Sequence, residues 1–234
     1  MTDHQLPKTR SGEPRAFFGR RSGKKLHGGQ QAIFDATLPA LEIQLEGRLD
    51  PRYLFPEADR LIIEIGYGGG EHLALEAGRN PQTGYIGCEV FTGGIGKMVQ
   101  TIAAQDLRNV RLFTDDALKL LVQLPAASID EIYLLYPDPW PKTRHHKRRF
   151  VSPTTLAELA RVIRPGGQFH FATDIEDYAN WTLAHIVRTP EFRFDAGAPC
   201  SWHKPYPGWE PTRYEQKARR EGRLVSFYFS FTRV

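Results

Sequence analysis

From residue 60 onward, short apolar runs alternate with stretches whose apolar residues recur every third or fourth position. Leu61–Ile65, Tyr85–Cys88, Val110–Phe113, Ile132–Tyr136 and Gln168–Ala172 read as five strands. Runs this short and this continuously apolar suit strands covered on both faces. Between them, residues 71–78, 94–105, 117–123 and 176–188 read as helices. A further helix opens at Ser152 and Pro153, an N-cap and a first helical position, and carries Leu156, Leu159, Ala160 and Ile163 along one face. Pro165-Gly166-Gly167 stops it. Phe192–Phe194 is a candidate sixth strand, and the alternating Leu224–Phe231 ends the sheet. Upstream, Ile33, Leu38, Leu41 and Leu45 predict a short helix interrupted at Pro39. Residues 197–211 hold four prolines, two glycines and two tryptophans and read as a long loop, with Trp202, Tyr206 and Trp209 pinning it to the body, stacking on nucleic-acid bases being the alternative. The alternation predicts the α/β class: a single doubly wound, mostly parallel sheet with helices on both faces and an antiparallel C-terminal strand.

Charge adds what the apolar pattern leaves open. The 31 Lys and Arg residues exceed the 27 Asp and Glu by only four, but they are unevenly placed. Residues 1–30 carry a local balance of +5, residues 142–149 another +5 and residues 212–223 +3, so the remaining chain is acidic. An acidic body with three basic patches suits a polyanionic partner, nucleic acid first; merely solvated faces are the alternative. Residues 1–30 show little periodicity and read as a flexible basic arm, leaving 31–234 as one domain. No apolar run approaches the roughly 20 residues that span a bilayer, and the polar, basic start is not a secretory signal. Cys88 and Cys200 stand alone, which argues against a zinc site or a disulfide scaffold and fits a reducing cytoplasm. Monomer and homodimer both remain open.

The first candidate site is Glu64-Ile65-Gly66-Tyr67-Gly68-Gly69-Gly70, placed where the first strand turns into a helix. This is the favoured ligand crevice of an open α/β sheet. A dinucleotide fingerprint would need glycine where Glu71 stands, and no GxxxxGK[ST] phosphate loop occurs. The acid-x-Gly-x-Gly-x-Gly pattern instead resembles the first motif of class I methyltransferases. Glu89 follows the second strand, 25 residues after Glu64, where a carboxylate meets ribose hydroxyls in doubly wound folds. Methyltransferases commonly carry an acid after the third strand that meets the adenine amino group. Here Asp116, before Ala117, matches best, and Asp115 is the alternative. The implied cofactor is S-adenosyl-L-methionine, approached by the backbone of Gly66 and Gly68.

The fourth strand runs into Tyr136-Pro137-Asp138-Pro139-Trp140-Pro141-Lys142-Thr143-Arg144-His145-His146-Lys147-Arg148-Arg149. Three prolines stiffen this turn and fix where Asp138 points. The string PDPWPK followed by His and Arg closely resembles the bacterial tRNA (guanine-N7)-methyltransferase family. Thr173-Asp174 resembles its TD motif, and Thr212-Arg213-Tyr214-Glu215 its T-[KR]-[FY]-E motif. The likeness spans roughly residues 55–234. It departs from the family at Tyr67, where phenylalanine is commoner, at 90–96, which lacks a usual His and Pro, and at Asp115, where asparagine is usual.

The resemblance implies methyl transfer from S-adenosyl-L-methionine to N7 of a guanine in the tRNA variable loop. Asp138 is then the catalytic carboxylate, set at both the cofactor and the base. Asp174, and with it Glu215, would accept from guanine N1–H and its exocyclic amine. Lys142, Arg144, His145, His146, Lys147, Arg148 and Arg149 would grip phosphate, with no metal involved. Thr212, Arg213 and Tyr214 would add to the tRNA contact, with Lys217, Arg219 and Arg220 beside them. Two rivals stand beside this reading. One is an exocyclic-amine methyltransferase, whose [DN]PP[YFW] corner would need a second consecutive proline. The other is a non-catalytic RNA-binding protein, which would have no reason to keep acids at 64, 89, 116 and 138 together.

Overall fold

The computed structural model describes residues 8–9, 11–12, 14–23, 25–194, 197 and 201–234. Cys200, the first seven residues of the basic arm and part of the 197–211 loop lie outside the described residues. Seven strands form one sheet: β1 (Arg60–Ile65), β2 (Thr83–Cys88), β3 (Val110–Phe113), β4 (Ile129–Leu135), β5 (Ile163–Thr173), β6 (Phe192–Phe194) and β7 (Phe227–Arg233). Their order across the sheet is β3-β2-β1-β4-β5-β7-β6. β1 to β5 run parallel, and β7 pairs antiparallel with both β5 and β6. The chain order reverses between β1 and β4, so a crevice opens beyond their C-terminal ends.

Side-chain alternation assigns each face its helices. Leu61, Ile63 and Ile65 of β1, with Phe169 and Phe171 of β5, pack under α4 (Ala117–Leu121), α5 (Pro153–Val162) and α6 (Glu176–Ile186). Ile62 of β1 and Tyr85 of β2 point the other way, under α1 (Gly28–Leu41), α2 (Glu71–Arg79) and α3 (Thr92–Gln105). Glu64 shares that second face, which turns its carboxylate toward α2 rather than into the larger core. Further along the same face, Tyr206 donates to the carbonyls of Phe171 and Phe229 at 2.9 and 3.2 Å. Trp209 packs beside it, and Trp202 packs on the opposite core, so all three aromatics pin the loop. Among the described residues, no helix is long and apolar enough to cross a membrane.

Three elements differ from the sequence pattern. α1 is not interrupted at Pro39 but runs to Leu41, because a proline three positions from the end forfeits a single intrahelical bond. Ile163 is not the last helical apolar residue: it opens β5 by pairing with Ile129, and a register shift separates that pair from the Glu131–Gln168 pair. A seventh helix, α7 (Arg213–Arg220), occupies the third basic patch. Its signal was present in Thr212 and Glu215, the Thr-x-x-Glu spacing of a capped helix start. The basic stretch simply masked it.

Candidate active site

Gly66 and Gly68 follow β1 with φ of 71° and 58°, a region open to glycine and strained for other residues. A Cβ on either would meet no protein atom within 4 Å, so backbone conformation rather than crowding demands glycine, and the space stays open to a ligand. Glu89 closes the next strand end. Its Oε2 accepts from the Gly68 amide at 2.9 Å, and its Oε1 from the amides of Val90 and Phe91 at 2.7 and 2.9 Å. Burial pushes the Glu89 pKa up, against these three amide bonds and with help from the nearby Asp138 charge.

After β4, Tyr136 and Trp140 both adopt positive φ, 51° and 44°. Such backbone in non-glycine residues costs of order 1–3 kcal/mol each and persists only where the surroundings impose it. These two residues bracket Asp138. Asp138 is an exposed residue, and partial burial of its carboxyl alone raises its pKa. The corner faces the crevice: Asp138, Pro137 and Trp140 line one cavity of about 280 Å³ together with Gly66, Glu89, Asp115 and Asp116.

Asp116 caps α4, accepting from the Leu118 amide at 3.1 Å. Its other oxygen accepts from the amides of Ala16 and Phe17 at 2.6 and 2.7 Å. Asp115 is held instead by Arg21 and Lys119, at 2.6 and 2.7 Å, and its pKa is lowered: burial works against this, but Lys119, the Asp116 amide and Arg21 outweigh it. Residues 16–21 of the basic arm therefore lie against the body, and residues 16–20 help to line the cavity. Thr92 tethers it further through two bonds to the Arg21 carbonyl, at 3.0 and 3.1 Å. The sequence pattern gave no sign of this strap because, apart from the Arg21–Asp115 pair, these contacts use its main-chain groups.

Glu64 is buried, and its Oε2 lies 2.7 Å from His72 Nδ1 on α2. Burial opposes charge on His72, but Glu64 prevails and its pKa is raised. His72 was missed by sequence reasoning; its place at the start of α2, facing the acid of the glycine-rich turn, was the available signal. A second groove, about 590 Å³, opens beside this pair. Lys97 of α3 and Arg213, Lys217 and Arg220 of α7 line it, as do Thr212 and Tyr214.

The basic stretch after the corner divides. Lys142, Arg144 and Lys147 are exposed, on or beside a 3-10 turn at Thr143–Arg148. Arg148 stacks on the Trp140 ring at 4.8 Å and lines the cavity, with His145 edge-on to the same ring. His146 is drawn inward toward Trp181. Arg149 departs from the expected phosphate grip: its side chain has 0% exposure. It bonds the Pro139 carbonyl at 2.8 Å, pairs with Asp177 and lies over the rings of Tyr178 and Trp181. A guanidinium enclosed by a carbonyl, a carboxylate and two ring faces has none of its surface left for RNA.

The expected base-binding acids also turn inward. Glu215 is 1% exposed, accepting from Trp209 Nε1 at 2.9 Å, Tyr228 OH at 2.9 Å and Arg219 at 2.5 Å. That acid is a keystone between α7, the loop and β7, enclosed by its partners. Asp174 is nearly as covered, pairing with Arg223 at 2.6 Å beside Tyr214. Tyr214 itself is half-exposed and packs on Tyr136, next to the corner. Thr212 caps α7.

The family described as "Putative methyltransferase" matches residues 58–227. A tRNA (guanine-N(7)-)-methyltransferase of Rhizobium meliloti (strain 1021) is 50% identical over 94% of this chain and 95% of its own length. One of Agrobacterium fabrum (strain C58 / ATCC 33970) is 50% identical over 96% of this chain and 97% of its own. Among solved structures, the 16S rRNA methyltransferase KamB superposes with a TM-score of 0.57 at 17% identity, over 81% of this chain and 96% of that one. The aminoglycoside resistance methyltransferase NpmB1 gives 0.56 at 15% identity, over 78% and 91%. At such low identities the two structures speak for the shared fold.

Proposed function

Because the chain belongs to the tRNA (guanine-N(7)-)-methyltransferase family, we propose that it transfers a methyl group from S-adenosyl-L-methionine to N7 of a guanine in the tRNA variable loop, at the Asp138 corner. The observation that carries this is one shared cavity, in which Asp138 meets the glycine-rich turn, Glu89 and Asp116. A cytoplasmic location, where tRNA is handled, belongs to the same proposal.

The residues fit the cofactor. Gly66 and Gly68 leave open space beside the turn. The carboxylate of Glu89 has lone pairs beyond those its three amides use, enough to accept from ribose hydroxyls. Asp116 Oδ2 already receives two N–H donors, the kind of group an adenine amine offers, whereas Asp115 is held by cations. Asp116 is therefore the adenine acid, and an amine there shares it with, or displaces, the amides of Ala16 and Phe17. The bound cofactor supplies an activated methyl on a sulfonium.

Guanine N7 carries an in-plane lone pair and is unprotonated at neutral pH, so it needs no general base. What remains is alignment, and the rigid corner provides it. Positive charge develops on the base as N7 is alkylated, and Asp138 at the cavity faces that charge. Asp174, covered and paired with Arg223 at the end of β5, becomes the second acceptor for the guanine edge once the base opens that pair. Lys142, Arg144, His145, Lys147 and Arg148 contact the phosphates on one side. Arg213, Lys217 and Arg220, with Lys97 opposite, contact them on the other. Methyl transfer onto an unmodified tRNA transcript, with the product mapped by nuclease digestion and mass spectrometry, tests the proposal. The expected product is 7-methylguanosine in the variable loop; N6-methyladenosine would overturn it.

A further inference from the structure

The corner that carries Asp138 cannot hold itself. Pro137, Pro139 and Pro141 lack amide hydrogens, so the turn has few donors with which to build a backbone ladder. Its entry is fixed, since the Tyr136 amide donates to the Ala172 carbonyl at 2.7 Å. Its far side is fixed by a side chain: Arg149 Nε donates to the Pro139 carbonyl at 2.8 Å. That guanidinium is in turn caged by one helix. Asp177, Tyr178 and Trp181, all on α6, provide a carboxylate and two ring faces, the ring centroids 4.9 and 5.1 Å away. Trp181 Nε1 bonds the Val151 carbonyl at 2.7 Å, which fastens the cage to the chain just after Arg149. The left-handed residues Tyr136 and Trp140 stand on either side, so a slackened corner has a backbone reason to relax away.

We propose that Arg149 is a positioning residue for methyl transfer, clamping the Pro139 carbonyl to α6 and so aiming Asp138 into the cavity. It acts through the corner and touches neither substrate nor cofactor. The inference rests on the reading that Asp138 faces the guanine. If Asp138→Asn retained turnover, that reading would fail first; if Asp138→Asn is inactive and Arg149 variants are not, only the clamp fails.

The experiment compares Arg149→Gln and Asp177→Asn with the parent enzyme in steady-state methyl transfer onto tRNA. Cofactor affinity is measured by calorimetry, and tRNA affinity as a function of salt. A misplacement on the ångström scale costs about 100-fold in rate. Arg149→Gln is expected to lower kcat by about that factor, with KM for tRNA, cofactor Kd and the salt slope unchanged within about threefold. Asp177→Asn removes only the exposed end of the cage and keeps the Nε bond. It is expected to lower kcat by a smaller factor, about fivefold, and it decides the matter should Arg149→Gln fail to fold. A weaker tRNA affinity with a shallower salt slope would make Arg149 a phosphate contact and overturn the clamp. Unchanged kcat in Arg149→Gln, or in Asp177→Asn where only that variant folds, would overturn it equally.

Discussion

Glu89 and Glu215 are both carboxylates in motif positions, yet the fold uses them in opposite ways. Glu89 stands at the open end of β2, anchored by three backbone amides, with its carboxylate beside the cavity. Glu215 sits on the inner face of α7, enclosed by Trp209, Tyr228 and Arg219. The difference lies in what surrounds the chain. A strand end of a parallel sheet points into the ligand crevice whatever packs around it. A helix residue faces inward or outward according to partners that arrive from far along the chain. The cofactor side is thus written locally, and the RNA side is not.

The largest effect should come from the inward acid. Removing one partner from a buried ionic cluster costs about 3–5 kcal/mol. Glu215→Ala should therefore lower the unfolding free energy by that amount, read from the midpoint and slope of a urea titration. A folded, equally stable variant with a specific loss of guanine binding would reverse the comparison. Next, Glu89→Gln should weaken cofactor binding by about 1.5–3 kcal/mol, the usual worth of a hydrogen bond to a charged group. Calorimetry reads this directly, and stability should fall as well, since a side-chain NH2 cannot accept from the backbone amides that both carboxylate oxygens serve. Smaller again, Arg144→Gln should weaken tRNA binding while reducing the salt slope by about one. Arg149→Gln should leave that slope alone, and the two variants together sharpen the division of the basic stretch.

The smallest effect is a matter of sign. Burial holds the Asp138 pKa above its ordinary value, so the folded state binds its proton more tightly than the unfolded chain. Stability is then lost as pH rises from the ordinary carboxylate value through the raised one. Asp138→Asn should melt slightly higher than the parent at neutral pH and match it at about pH 3, below the ordinary value. An equal melting temperature at both would mean that the carboxylate is fully solvated rather than partly covered.

The sheet, its order of helices and the residues proposed to hold the cofactor were legible because each depends on a pattern that short chain segments carry: apolar runs, glycines after β1, acids at successive strand ends. Glu64, Gly66, Glu89, Asp116 and Asp138 were all found at their expected strand ends. What the pattern did not disclose was direction. Arg148 and Arg149 are adjacent and alike in type, but one stacks on Trp140 at the cavity and the other is buried under α6. Only the arrival of Asp177, Tyr178 and Trp181 separates them. The strap over Asp116 was illegible for a different reason: its donors are the main-chain amides of Ala16 and Phe17, which no residue type announces.

The shared cavity makes its sharpest demand on Asp138. Single-turnover methyl transfer by Asp138→Asn, with cofactor affinity measured on the same preparation, puts it to the test. Losing a preorganised group that faces developing charge should slow the reaction by about 100–1,000-fold, with cofactor Kd within about threefold of the parent. A near-parental rate would mean that the corner is only a stiff turn beside someone else's chemistry.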